Sequence, residues 1–189
     1  MSTVRDRQAG TTIDMIRSDH VARYLLAGSR LKGKKILDLA CGCGYGSAIL
    51  DKSGNDVTGV DIEPEAIAYA EEYYGGPKYL CQRAVDTSGT FDVIVSFETI
   101  EHIEHPNQIL MIDAPMIFAS VPNQEVVPFR AETFAGDEYP HLRHYTPQEF
   151  EDLLNGAGFT VAERFCQPTK KGQIESGTNG RTLIYIAHR

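Results

Sequence analysis

A chain of 189 residues, 42% hydrophobic and 23% charged, fits one globular domain, since domains commonly hold roughly 100 to 200 residues. No run approaches the ~20 apolar residues of a membrane span, and the opening MSTVRDRQAGTT lacks the apolar stretch of a secretory signal, which leaves the cytoplasm as the default compartment. The formal charge of −8, with Lys and Arg scattered apart from Lys34-Lys35 and Lys170-Lys171, disfavours nucleic acid as a partner, because that footprint is a basic stripe.

In chain order, residues 1–12 have little to bury and are expected to be disordered, and residues 13–33 form an N-terminal helical cap. Within that cap, SDHVARYLL predicts a helix started by Ser18, with Val21, Tyr24 and Leu25 facing the core. Strands follow at 34–40 (KKILDLA), 56–62 (DVTGVDI), 77–82 (PKYLCQ), 91–97 (FDVIVSF) and 115–121 (PMIFASV). Helices are predicted over 45–53 and from Pro64 to Tyr74, where Gly75-Gly76 stops the turn. Residues 122–145 carry little secondary-structure signal, and a loop of that length in a compact domain reads as a lid over an acceptor. TPQEFEDLLNGAGF then starts a helix with Thr146 as N-cap, Pro147 in the first turn and Glu149 completing a capping box; Phe150, Leu153, Leu154 and Ala157 form its apolar stripe. Strands at 159–166 and 181–188, joined by a Gly, Lys and Ser-rich mobile loop, close the domain. Seven strands alternating with helices give a single α/β domain with a largely parallel sheet.

Cys41, Cys43, Cys81 and Cys166 lack CxxC spacing, and the first two lie in a glycine loop poorly placed for zinc, so reduced thiols and no metal are expected. That loop, DLACGCGYG at 38–46, carries the chemistry. A glycine turn between strand and helix lets backbone approach a ligand at the sheet's carboxyl edge. It lacks the Gly-Lys-Ser/Thr ending of a phosphate loop. A dinucleotide fingerprint would align Gly42 and Gly44 but puts Ser47 where the third small residue belongs, and Asp38 beside the loop would repel a pyrophosphate and attract a cation. Asp61, at the end of the second strand, is placed as a ribose acceptor would be.

From Asp38 to Gly46 the sequence resembles motif one of the class I S-adenosylmethionine-dependent methyltransferases, acid-x-[AG]-x-G-x-G-x-G. The resemblance implies a Rossmann-like, doubly wound sheet with an antiparallel C-terminal strand, and S-adenosyl-L-methionine as cofactor. By it, Ala40, Gly42, Gly44 and Gly46 shape the methionine pocket, Asp38 lies near its cationic end, Asp61 holds the ribose, Ile62 flanks the adenine and Asp86 meets the adenine amino group. The bland reading of Asp86 is an ordinary turn acid.

SFETIEHIEH after the fourth strand is similar to the family's segment across the active-site mouth, and makes His102 either a proton acceptor or an ordered structural histidine. A closer likeness is to bacterial and phage methyltransferases of the glycan-associated type, carried by H-x-x-R-Y at His20, Arg23 and Tyr24 and by H-x-R-x-Y-T-P-x-E-F from His141 to Phe150. It implies that Arg23 pairs with the cofactor carboxylate, that Tyr24 and Tyr45 wall the methionine arm, and that His141 and Arg143 serve a small-molecule or glycan acceptor. The competing readings are core packing for Tyr24 and lid anchoring for His141 and Arg143. The chain departs from the family before the fifth strand, where the long helix and its turn shrink to NQILMIDAPMIF. The implied reaction is in-line methyl transfer to an acceptor oxygen or nitrogen. The alternatives are a nucleotide or nucleic-acid methyltransferase, whose usual motif after the fourth strand is missing, and a non-catalytic cofactor-binding partner subunit.

Overall fold

The computed structural model describes residues 9–137 and 139–189; the expectation of disorder over residues 1–8 and the part of the lid at residue 138 lie outside them. The strands are β1 Lys35–Leu39, β2 Asp56–Asp61, β3 Lys78–Cys81, β4 Val93–Phe97, β5 Met116–Pro122, β6 Thr160–Gln167, β7 Glu175–Ser176 and β8 Thr182–His188. The helices are α1 Ser18–Arg30, α2 Tyr45–Lys52, α3 Pro64–Tyr73, α4 Asn107–Leu110 and α5 Pro147–Gly156.

All eight strands join one sheet in the order β3-β2-β1-β4-β5-β8-β6-β7. β1 to β5 are parallel, and β8 runs antiparallel between β5 and β6, as expected of the C-terminal strand. The count is eight rather than seven because β7, two exposed polar residues in the 167–180 loop, pairs with Phe165 and Cys166. A two-residue polar strand has no hydrophobic period, so its sequence carries no sign of it.

Both faces of the sheet are covered, which is why the central strands read as unbroken apolar runs. Every residue of β4 is buried; Ile94 turns to one core with Leu37, Ile117, Phe150, Leu154 and Tyr185, while Val93 and Val95 turn to the other with Tyr24, Ala27, Ile36, Ile49 and Phe118. The chain moves from β1 outward through β2 to β3, then returns to β4 on the other side of β1. The reversal opens a crevice at the carboxyl ends of β1 and β4, the place where open α/β sheets bind ligands.

Two details of α1 differ from the sequence reading. Arg17, not Ser18, occupies the cap position, with no side-chain cap bond. Leu25 is 55% exposed, and the buried face runs through Asp19, Arg23, Tyr24, Ala27 and Gly28. The cause is Arg23, which turns inward to donate to Gln167 Oε1 at 2.6 Å, while Gln167 Nε2 donates to the Asp19 carbonyl at 2.9 Å. Burying an arginine rotates the inner face away from Leu25, and an apolar count has no means of anticipating that. Ahead of α1, Gly10 is buried and its carbonyl accepts a hydrogen bond from Tyr74.

The segment before β5 holds only the four-residue α4, in line with its shortened sequence. At α5 the capping box forms: Thr146 Oγ1 accepts from the Glu149 amide at 3.2 Å and Glu149 Oε2 accepts from the Thr146 amide at 2.8 Å. Replacing Thr146 with Ala should lower stability by about 1 kcal/mol, read as a shift of the urea midpoint at unchanged slope.

Candidate functional site

The crevice is a cleft with two lobes of about 410 and 540 Å³ that share Ala40, Gly42, Glu98, His102 and Tyr139 on their walls. Its floor is strained. Ala40 (φ 57°) and Glu98 (φ 53°) follow β1 and β4 and are the only non-glycine residues with positive φ among those described. Left-handed backbone at two adjacent strand ends costs energy, and such strain concentrates where a ligand is held.

In the first lobe, Asp61 at the end of β2 is 4% exposed, and its carboxylate is fixed from two sides. Oδ2 accepts from the Gly42 amide at 2.9 Å and Oδ1 from the Glu63 amide at 3.0 Å. Each carboxylate oxygen has capacity for a further bond. Ile62, Ala84 and Val85 add apolar wall beside it. Asp86 ends the same 3-10 turn, exposed and off the cleft wall, so the turn presents its small apolar residues and not its acid.

The three glycines of the loop serve three purposes. Gly42 (φ 55°) borders the cleft and orients Asp61 through its amide. A Cβ on Gly44 (φ 86°) would stand 2.5 Å from that of Ala70, so this glycine lets the loop lie against α3. A Cβ on Gly46 would stand 2.1 Å from Cζ of Tyr24, so that glycine lets α2 pack on the tyrosine ring.

Asp38 lies under the loop, fully buried and off the cleft wall. Its oxygens accept from Tyr24 Oη at 3.0 Å and Ser47 Oγ at 2.6 Å. Burial raises its pKa from 3.8 to about 7; the bonds from Ser47 and Tyr24 pull the other way, and the charge of Asp61 adds to the rise. Ser47, the residue that disfavoured a dinucleotide loop, is thus a partner of the buried acid.

The second lobe is walled by aromatic rings. Tyr24 meets Tyr45 and Phe97 edge to face, with ring centres 5.6 and 5.0 Å apart, and all three border the cleft. Arg23 does not: it is 1% exposed and held by Gln167. Cys41 and Cys43 are buried on the wall.

Across the mouth, a 3-10 turn over Ile100–His102 carries His102, and the 122–145 segment folds back over it. The Leu142 amide donates to the Glu101 carbonyl at 2.8 Å, which sets His141 beside His102 with ring centres 4.5 Å apart. His141 stacks on Phe134 at 4.3 Å. Tyr139 reaches the far side and donates to Glu63 at 3.3 Å, beside the Asp61 turn. Arg143 is on neither wall and donates to the carbonyl of Glu104, a residue that borders the first lobe, at 3.2 Å. Of the three residues proposed from sequence for acceptor chemistry, His102 and His141 come together at the cleft and Arg143 fastens the lid.

Sequence reasoning did not single out Glu98 for the site, and named Tyr139 and His144 only as members of the 122–145 segment and His20 only within the pattern that contains it. Glu98 held one signal, an acid immediately after a strong parallel strand. His20 sits on the wall with Nδ1 3.2 Å from Tyr45 Oη, and burial, reinforced by Arg23, lowers it to about 3.

With this geometry in place, comparison with known proteins is informative. The family described as a methyltransferase domain matches residues 15–164. The chain belongs to that family. The class I S-adenosylmethionine-dependent methyltransferase resemblance holds at this level, whereas the relatives compared do not support the finer likeness to glycan-associated enzymes. Residues of this methyltransferase domain are 30% identical to the ubiquinone biosynthesis O-methyltransferase of Azorhizobium caulinodans over 159 residues, 70% of this chain and 61% of that protein. The chain spans 41 to 64% of the length of the three such O-methyltransferases compared. Among solved structures, a possible histamine N-methyltransferase from Thermotoga maritima superposes with TM-score 0.71 at 15% identity, over 91% of this chain and 90% of that one. The magnesium protoporphyrin IX methyltransferase of Synechocystis, crystallised with S-adenosylmethionine, gives 0.65 at 18% identity, over 91% and 77%. These two likenesses establish the fold. Among the described residues no helix is long and apolar enough to cross a membrane.

Between about pH 4 and 7 the folded chain keeps the Asp38 proton that an unfolded chain has shed. The stability this contributes is therefore complete at low pH and lost as pH rises toward 7, at up to about 1.4 kcal/mol per pH unit. In Asp38→Asn that component should vanish, so urea unfolding of the two proteins at several pH values should give a difference that changes across this window. A constant difference would remove Asp38 as the titrating group.

Proposed function

We propose that the chain binds S-adenosylmethionine across the two lobes and methylates an oxygen of a small aromatic acceptor. The observation that carries this reading is the Asp61 carboxylate, held by two backbone amides and facing a lobe walled by Ile62, Ala84 and Val85. A carboxylate so fixed suits the paired hydroxyls of a ribose, and apolar walls beside it suit an adenine. The lobe volumes lie within the few hundred to 1,000 Å³ typical of ligand sites, about 300 Å³ at the low end. When bound, S-adenosylmethionine supplies an electrophilic methyl group on a sulfonium.

The residues of the chain then have separate tasks. Asp61 and Gly42 hold the nucleoside, Tyr24, Tyr45 and Phe97 exclude water around the sulfonium, and their ring faces favour a cation. Above about pH 7, where Asp38 ionises, its buried charge beneath the loop acts in the same direction over a short, poorly screened path. Arg23 supports α1 from inside and positions Tyr24, in place of the direct cofactor contact implied by resemblance. His102 and His141 face the acceptor side, where they orient a hydroxyl and receive or relay its proton.

Oxygen rather than nitrogen is supported by the ubiquinone O-methyltransferase relatives. An aromatic acceptor is supported by the rings of the second lobe, Phe97, Phe134, Tyr24, Tyr45 and Tyr139; the carboxylates of Asp19, Glu98 and Asp137 on the same wall are available to its polar substituents.

Titration with S-adenosylmethionine should raise the melting temperature, since a ligand specific to the native state stabilises it, while NADH should not. In Asp61→Ala the dissociation constant should rise about tenfold or more, on the scale of losing charge-assisted hydrogen bonds. Equal affinity in wild type and variant would overturn the ribose assignment. His102→Ala should lower methylation of a phenolic acceptor while leaving cofactor affinity within about twofold, a split expected of a residue that acts on the acceptor alone.

A further inference from the structure

We propose that Arg181 and Lys170 form a carboxylate-binding site on the acceptor side of the second lobe, which makes the preferred acceptor a phenol carrying an acidic group. The class of acceptor rests on the methyl transfer proposed above; binding of the anion does not.

Both cations belong to residues 168–181, the connection between β6 and β8 that contains the Lys170-Lys171 pair of the sequence. Lys170 and Arg181 border the second lobe, together with Thr182 at the start of β8. Lys170 stands close enough to α1 for its charge to bear on His20.

The backbone of Arg181 is rigidly held while its side chain is not. Its amide donates to the Gln167 carbonyl and its carbonyl accepts from the Asn123 amide, each at 2.8 Å. Gln167 and Asn123 are buried, and both are fixed in turn: Gln167 by Arg23 and the Asp19 carbonyl, Asn123 Nδ2 by the carbonyls of Thr178 and Gly180. A Cβ on Gly180 would stand 2.6 Å from the Gln167 carbonyl, so the chain just before Arg181 lies pressed against β6. Of the arginines that are half or fully buried among the described residues, Arg23, Arg143 and Arg164 each donate to a protein acceptor. The guanidinium of Arg181 alone has none. A donor set on a rigid base, on the wall of a cleft and without an acceptor, is the arrangement expected of a preorganised anion site.

The position of Arg181 in the sheet assigns that anion to the acceptor. β8 runs antiparallel to β5 and pairs Thr182 with Pro122, so its first residues lie at the carboxyl edge where the cleft opens. In the strand order β8 is three places from β1 and on the far side of β4 and β5 from Asp61, roughly 14 Å at ~4.8 Å per strand. The glycine loop and Asp61 thus serve one half of the cleft and Arg181 the other. Arg17, a further cation on the wall, is paired with Asp19. The planar guanidinium matches a carboxylate through two parallel N–H···O bonds, and Lys170 adds a point charge. Glu98 and Asp137 on the same wall oppose a second negative charge, which favours a carboxylate over a phosphate.

The test uses the full chain saturated with S-adenosylhomocysteine and compares, by calorimetry, an ortho-dihydroxybenzoate with the matching neutral benzamide. The benzoate should bind about tenfold or more tightly. In Arg181→Gln that preference should fall to within about twofold with the affinity for the amide unchanged; in Lys170→Gln it should fall by about threefold, as an exposed lysine contributes less. Lys170 is exposed, so its variant tests the site even where Arg181→Gln unfolds. Equal affinity for the two compounds, no binding of either, an undiminished preference in folded Arg181→Gln, or a parallel loss of both compounds there would overturn the site. The same samples are titrated with S-adenosylmethionine, whose dissociation constant should stay within about twofold in Arg181→Gln; a loss of about tenfold would give Arg181 to the carboxylate of the cofactor and overturn the acceptor site. Methyl transfer is read separately. Preference for the benzoate without methylated product supports the anion site and defeats the methylation reading, whereas product formed equally from both compounds defeats the anion site alone.

Discussion

A carboxyl group with no exposed surface sits at the centre of this molecule. Asp38 is the penultimate residue of β1, in the interior, where ionisation is opposed by burial. Among the described residues two donors hold it, Tyr24 from α1 and Ser47 from α2. Once the group is ionised, such hydrogen bonds are worth about 1.5 to 3 kcal/mol each, so removing either would expose the desolvation penalty. The carboxylate therefore fixes both helices to β1. Once Tyr24 is held, its ring sets the position of Tyr45 and Phe97 and leaves no room for a side chain at position 46. The wall of the second lobe is a consequence of how one buried acid is satisfied.

The same acid explains why glycines recur in the loop without all meeting a ligand. The chain must leave β1, pass over Asp38 and start α2 within a few residues. Ala40, Gly42 and Gly44 all adopt positive φ on the way, and close packing against Ala70 and Tyr24 forbids a Cβ at positions 44 and 46. Gly42 alone borders the cleft, and it acts there through its amide by orienting Asp61. A motif that looks like a repeated ligand contact is one ligand-side residue and two packing constraints.

Much of this was legible in the sequence where a periodic pattern or a cap expresses a local rule. The five parallel strands, the Thr146 box and the acids closing β1 and β2 are of that kind. Where one side chain changes what its neighbours do, the local rule fails. Arg23 is buried by a glutamine 144 positions away, and that distant bond turns Leu25 outward. Arg143 resembles an acceptor-binding cation in a lid, yet the Glu104 carbonyl lies within its reach and takes it. Asp86 falls on the outer side of its turn. Each of these depends on tertiary placement that spacing does not encode. β7 was illegible for another reason: two polar residues extend an edge by backbone bonding alone.

The lid shows how such tertiary placement builds a site from residues that look unrelated. Residues 122–145 have little regular structure, so their position comes from side-chain and carbonyl contacts. Near its C-terminal end Tyr139 bonds to Glu63 beside Asp61, and a few residues on Leu142 and Arg143 bond to the carbonyls of Glu101 and Glu104. Phe129, Phe134, His141 and His144 pack ring against ring in the same segment. A segment that bonds within a few residues to the turn after β2 and to the turn after β4 bridges the two lobes of the cleft, so the order of this irregular stretch depends on the same two turns that carry Asp61 and His102.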